Sequence, residues 1–136
     1  MTRTVFGRTL FIQAIALTLL SSPSLLAQKW AYLGESNVDG AADHDRIKVG
    51  ESRGQFRRLQ IEVQNAAIDF DRVLVHFGNG TSYPVPIAAR IRAGGRTREI
   101  DLPGDRRWIE SVEFWYRRGS WGNGQRPKVR LMGIRW

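Results

Sequence analysis

Apolar residues recur at every second position along much of the chain. Leu59, Ile61 and Val63 frame Gln60 and Glu62, and Val73, Val75 and Phe77 follow on the alternate positions of Arg72, Leu74 and His76. A period of two is that of a half-buried strand. The second run ends in Gly78-Asn79-Gly80, and Asn-Gly accepts the positive φ angles of a tight hairpin turn. Val85, Ile87, Ala89 and Ile91 are therefore expected to return antiparallel beside Val73 to Phe77.

The same signal extends in both directions. Trp30 to Gly34 and Ile47 to Val49 predict strands on either side of a polar loop, residues 35–46. Beyond Gly94-Gly95, Ile100 and Leu102 alternate with Glu99 and Asp101 until Pro103-Gly104 breaks the run. Val112, Phe114 and Tyr116 then share one face, as do Val129, Leu131 and Gly133. About eight short strands with regularly spaced turns predict an all-β, antiparallel β-sandwich of jelly-roll-like form, a five-stranded closed barrel with extra strands being the alternative. No 3.6-residue apolar stripe persists for three turns after residue 27, so almost no helix is expected there. One echo, Phe77-Gly78-Asn79-Gly80 against Trp121-Gly122-Asn123-Gly124, each followed by Pro and an alternating run, raises the question of a duplicated hairpin, although shared turn chemistry accounts for most of it.

The first 27 residues have a different character. Arg3 and Arg8 precede an apolar stretch from Leu10 to Leu20, and Ser21 to Ala27 supplies small residues and Pro23. Basic, apolar and small segments in that order predict a secretory signal peptide over residues 1–27, and hence a periplasmic or secreted location with no transmembrane span in the mature chain. Residues 28–136 then form a single β-sandwich domain. The chain has no Cys, which excludes thiol catalysis and leaves the fold to stand on packing without disulfides.

Formal net charge is +8 at pH 7. Beyond the leader the lysines are Lys29, Lys48 and Lys128; every other cation is Arg, whose planar fork suits phosphate, sulfate and carboxylate. Four of the five tryptophans, Trp108, Trp115, Trp121 and Trp136, lie in the last part of the chain among Arg117, Arg118, Arg126, Arg130 and Arg135. If Val112, Phe114 and Tyr116 face the core, Trp115 faces outward. Trp115, Arg117, Arg118, Trp121 and Arg126 are thus the candidate ligand-binding residues, able to stack a ring while Arg holds its anionic substituent. The opposing reading has the tryptophans capping the sandwich beneath Arg side chains.

Catalytic signals are sparse. The two histidines are His44, in the polar loop, and His76, on the face opposite Val75 and Phe77. Asp39, Asp43 and Asp45 are weak candidates for a structural calcium ion, since oxygen-rich loops can hold one, but they lack the twelve-residue loop pattern. No organic cofactor and no catalytic residue is expected. Glu110 and Glu113 are the carboxylates a glycan-acting enzyme would draw on, and nothing in the sequence pairs them.

Several motifs, taken together, resemble a known group: Trp30-x-x-Leu33-Gly34, Asp43-x-Asp45-x-Ile47-x-Val49-Gly50, Gly54-x-Phe56, Phe77-Gly78-Asn79-Gly80, Ile100-Asp101-Leu102-Pro103-Gly104 and Val112-x-Phe114-x-Tyr116. They are similar to a family of small exported proteins of Gram-negative bacteria known as a domain of unknown function. The resemblance implies an exported all-β domain and carries over no catalytic residue. The expected function is an exported, non-catalytic binding module for anionic cell-envelope material: acidic polysaccharide, lipopolysaccharide or lipid headgroups at a membrane surface. A protein-interaction or structural module of the envelope is the alternative, and a carboxylate-based glycan-acting enzyme the third reading. Nucleic acid would fit the charge but not the compartment.

Overall fold

The computed structural model describes residues 30–40, 43–122 and 124–135. The expected signal peptide lies outside these residues, as does Trp136. The described residues form ten strands: β1 (Trp30–Asn37), β2 (His44–Lys48), β3 (Gln55–Phe56), β4 (Arg58–Gln64), β5 (Ile68–Phe77), β6 (Ser82–Val85), β7 (Arg90–Ile91), β8 (Ile100–Asp101), β9 (Arg107–Tyr116) and β10 (Lys128–Ile134). Among the described residues the helical content is one short 3₁₀ turn, Glu51–Arg53.

Two antiparallel sheets result. One has the order β1-β10-β4-β8; the other has the order β2-β9-β5-β6, with β3 added beside β9 and β7 beside β5. The pairs β1/β10, β2/β9, β4/β8 and β5/β6 nest from the chain ends inward, which is the winding of a jelly roll. Because the chain crosses from one sheet to the other at each of these steps except β5 to β6, its loops gather at the two ends of the sandwich. The β1–β2 and β9–β10 loops share one end. The β2–β4, β5–β6 and β8–β9 connections share the other.

The alternating apolar residues of both sheets meet in one core. Leu59, Ile61 and Val63 of β4 and Val129 and Leu131 of β10 pack against Val73, Val75 and Phe77 of β5 and Val112 and Phe114 of β9, all buried. Phe56 is fully buried where β3 meets the end of β10, and a Cβ on Gly133 would lie 2.7 Å from its ring and 2.9 Å from Leu33. Only glycine allows that approach. Gln60, a rare polar residue inside, donates its side-chain amide to the Thr97 carbonyl, and Thr97 Oγ1 accepts the Ile61 N–H, so neither is left unsatisfied.

The hairpin expected at Asn79-Gly80 is present: Phe77 N–H donates to Thr81 O, Gly80 N–H to Phe77 O, and Gly80 adopts a φ of 89°. Its return strand is shorter than the alternation implied. Val85 pairs with Val73, but the ladder stops there, since Pro86 has no N–H to continue it. Likewise the run from Arg96 to Leu102 supplies only Ile100–Asp101 as a strand, with one bridge between Glu62 and Arg96. The second Gly-Asn-Gly run does not join a hairpin as the first does. Trp121, Gly122 and Gly124 fall between β9 and β10, which belong to different sheets, so the echo is not one of duplicated hairpins.

Candidate functional site

The loop after β9 opens a pocket at the end of the sandwich where the β1–β2 loop also lies. Asp39 and Gly40 form one wall; Arg118, Gly119, Trp121, Gly122, Gly124 and Arg126 form the rest, around a volume of about 480 Å³. Trp121 anchors it. Its indole packs edge-on against Tyr116 at 5.9 Å and touches the core, while a Cβ on Gly40 would approach its ring to 3.3 Å. Tyr116 is in turn buried at the end of β9, where its hydroxyl donates to Asp45 Oδ2 at 3.1 Å. Burial, and next the nearby Asp45 carboxylate, push this phenol well above its ordinary range, so it stays a neutral donor.

Arg118 and Arg126 are exposed at the rim, and neither guanidinium forms an ion pair among the described residues. The contrast with Arg117 is sharp. Arg117 binds Asp69 Oδ2 at 2.5 Å, and Arg90 binds the other oxygen at 2.9 Å. The Arg117 hydrogen bond, with Arg90 beside it, holds the Asp69 carboxyl below its usual range even though partial burial acts the other way. Arg117 lines a neighbouring depression with Asp69, Ala88 and Arg90 and is already engaged there by the Asp69 carboxylate.

Trp115 belongs to neither place. It stands on the outer face of the second sheet, stacked on His44 at 5.5 Å and 18° and covered from the other side of the strand row by Arg72, 4.2 Å from the ring centre. The next row holds Glu113. Burial raises its carboxyl, but His76 and Arg46 outweigh that and leave it below the ordinary value. Arg46 lies 3.2 Å and His76 Nε2 3.0 Å from Oε1; His44 Nε2 lies 3.6 Å from Oε2. An ionised carboxylate only accepts, so the His76 Nε2–H donates to it and Nδ1 faces Ser82 Oγ at 2.9 Å. Serine, histidine and carboxylate thus stand in a line, but Arg46 and His44 share the carboxylate. It serves as a charge hub joining β2, β5 and β9, not as an orienting acid reserved for one imidazole.

Of the five residues expected to bind ligand, the fold brings Arg118, Trp121 and Arg126 together and sets Trp115 and Arg117 apart. The three aspartates also diverge. Asp39 lines the pocket, Asp45 accepts from Tyr116, and Asp43 lies 3.3 Å from His44. Among the described residues no group of three or more His, Asp or Glu side chains is placed to hold a metal ion, and no helix is long and apolar enough to cross a membrane. Glu110 accepts from the adjacent Ser111 hydroxyl at 3.2 Å, away from the His76 and Arg46 contacts that fix Glu113.

A family model matches residues 11–133, nearly the whole chain. The chain belongs to the family described as Domain of unknown function (DUF2541). DUF2541 thus covers all ten strands but the last residue of β10, and both Arg118 and Arg126. No curated protein and no solved structure matches the chain.

Proposed function

We propose that this protein is an exported, non-catalytic module that binds anionic envelope material, such as acidic polysaccharide or lipopolysaccharide phosphate, through the pocket of Arg118, Trp121 and Arg126. One observation carries the reading. Two guanidiniums without ion-pair partners among the described residues flank a Trp whose position is fixed by the core, at the rim of an open pocket in a Gly-rich loop. An Arg already held by a carboxylate, as Arg117 is, has much less to offer an incoming anion than one that is not. A ring seated on the Trp121 face would gain ~1–3 kcal/mol from stacking, and each Arg contact to an anionic oxygen ~1.5–3 kcal/mol, together enough for micromolar affinity.

Arg118→Gln and Arg126→Gln test the site directly. Each is expected to weaken binding of lipopolysaccharide or an acidic polysaccharide by about tenfold or more, measured by quenching of Trp fluorescence, and to leave the melting temperature unchanged. Equal affinity of wild type and both variants would contradict the proposed site. An envelope protein as partner is the second reading, and salt distinguishes it: a polyanion is released by salt, whereas an aromatic-centred protein contact is not.

A further inference from the structure

Trp108 is an exposed large aromatic, 49% accessible, at the start of β9. It stands at the opposite end of the strand from Trp121. Ten residues of β9 at ~3.3 Å each put the two ends about 30 Å apart. Trp108 lines a second depression of about 260 Å³ with Gln55, Phe77, Asn79, Arg106 and Arg107. Its surroundings are built rather than loose. The Arg107 guanidinium lies 3.7 Å above the Phe77 ring and donates to Pro103 O at 2.8 Å and Thr81 Oγ1 at 3.1 Å, tying the β5–β6 turn to the β8–β9 loop. Asn79 Oδ1 is occupied by the Thr81 N–H and hydroxyl, which leaves its NH₂ group as a donor. Arg106 is exposed and forms no ion pair among the described residues.

A half-exposed indole lining the same depression as the Asn79 amide, a second amide at Gln55 and the Arg106 guanidinium matches the C–H face of a hydroxylated sugar ring bearing a carboxylate or sulfate. A lone phosphate would want converging cations; here one Arg with no ion pair among the described residues stands beside an exposed indole. From this we infer a second glycan subsite at Trp108, Arg106 and Asn79, so that an acidic polysaccharide chain engages both ends of the sandwich. This rests on the proposed function for its ligand class and extends it from a single contact to a polymer held at two points. Two linked weak contacts exceed either alone because the second becomes intramolecular.

The test uses polygalacturonate and a short galacturonate oligomer as probes, with single-stranded oligonucleotide as a comparison, on wild type, Trp108→Ala, Trp108→Phe, Arg106→Gln and the Arg118→Gln/Arg126→Gln double variant. The inference predicts that wild type binds the polymer more than tenfold tighter than the oligomer. That advantage should fall to threefold or less in Trp108→Ala and Arg106→Gln and be largely kept in Trp108→Phe, which retains the stacking face. Unchanged polymer binding in the Trp108 and Arg106 variants, with loss in the double variant, overturns the second subsite and leaves the first standing. Loss at Trp108 with the double variant unaffected keeps a site at Trp108 but overturns the first site and, with it, engagement of the polymer at both ends. Tighter, Trp108-dependent binding of the oligonucleotide overturns the glycan assignment, and no binding of any probe overturns both.

Discussion

Individual side chains here are held by a few strong polar contacts, and those are the places where single substitutions should register. The Tyr116 hydroxyl bonds Asp45 from a buried ring, so Tyr116→Phe should lose ~0.5–1.5 kcal/mol of stability by urea denaturation while keeping the ring packed against Phe114 and Trp121. Asp69 and Glu113 have carboxyls held below their ordinary values by Arg117 and Arg90 and by His76 and Arg46. A carboxyl depressed in the folded state adds stability above its unfolded value, about pH 4, and that stability drains away as pH falls through the folded value. Melting temperatures followed from pH 7 to pH 2 should therefore fall on the acid side in wild type and fall less in Asp69→Asn, which starts lower. A wild-type acid limb no steeper than the variant's would sink this account of Asp69. Which Arg would be claimed by a carboxylate could not be read from composition: Arg117 and Arg118 are adjacent, and only the fold brings Asp69, 48 positions earlier, to the first of them.

At the scale of elements, alternation was enough to find β1, β4, β5, β9 and β10 and to give most of their inward faces. It failed where the pleat is interrupted. Glu110 is skipped in the ladder, since Phe77 pairs with Ile109 and His76 with Ser111. Ile109 consequently faces the core together with Val112, although they stand three apart, and Trp108 turns outward. Carrying the phase of Val112, Phe114 and Tyr116 back along the strand would have hidden Trp108 in the core. A bulge is a tertiary event that periodicity does not register. The prolines did leave a sign of the early end of β6, in Pro84 and Pro86, and the short β8 lies just before Pro103. Gly133 makes the tightest demand of any element: Gly133→Ala should cost ~1–3 kcal/mol through overpacking against Phe56 and Leu33. A denaturation midpoint unchanged from wild type would show that β3 gives way freely.

Across the whole molecule the jelly-roll winding turns a linear cluster of Trp and Arg into sites at separate places. In sequence, Trp108, Trp115 and Trp121 look like one aromatic patch; in the fold they occupy one end of the sandwich, an outer sheet face and the other end. The class of fold was legible because each strand carries its own pattern, whereas the site depended on loops whose convergence no local signal encodes. In the proposed function, arginines that form no ion pair among the described residues hold a polyanion at these loops. Such binding is tested most directly by titrating the wild-type chain with an acidic polysaccharide at increasing salt and following Trp fluorescence. Saturable binding is expected, with an affinity that falls at least tenfold between ~50 and ~500 mM monovalent salt, as screening and counterion release require. Binding that is unaffected by salt, or absent at the lowest salt, would contradict the proposed function.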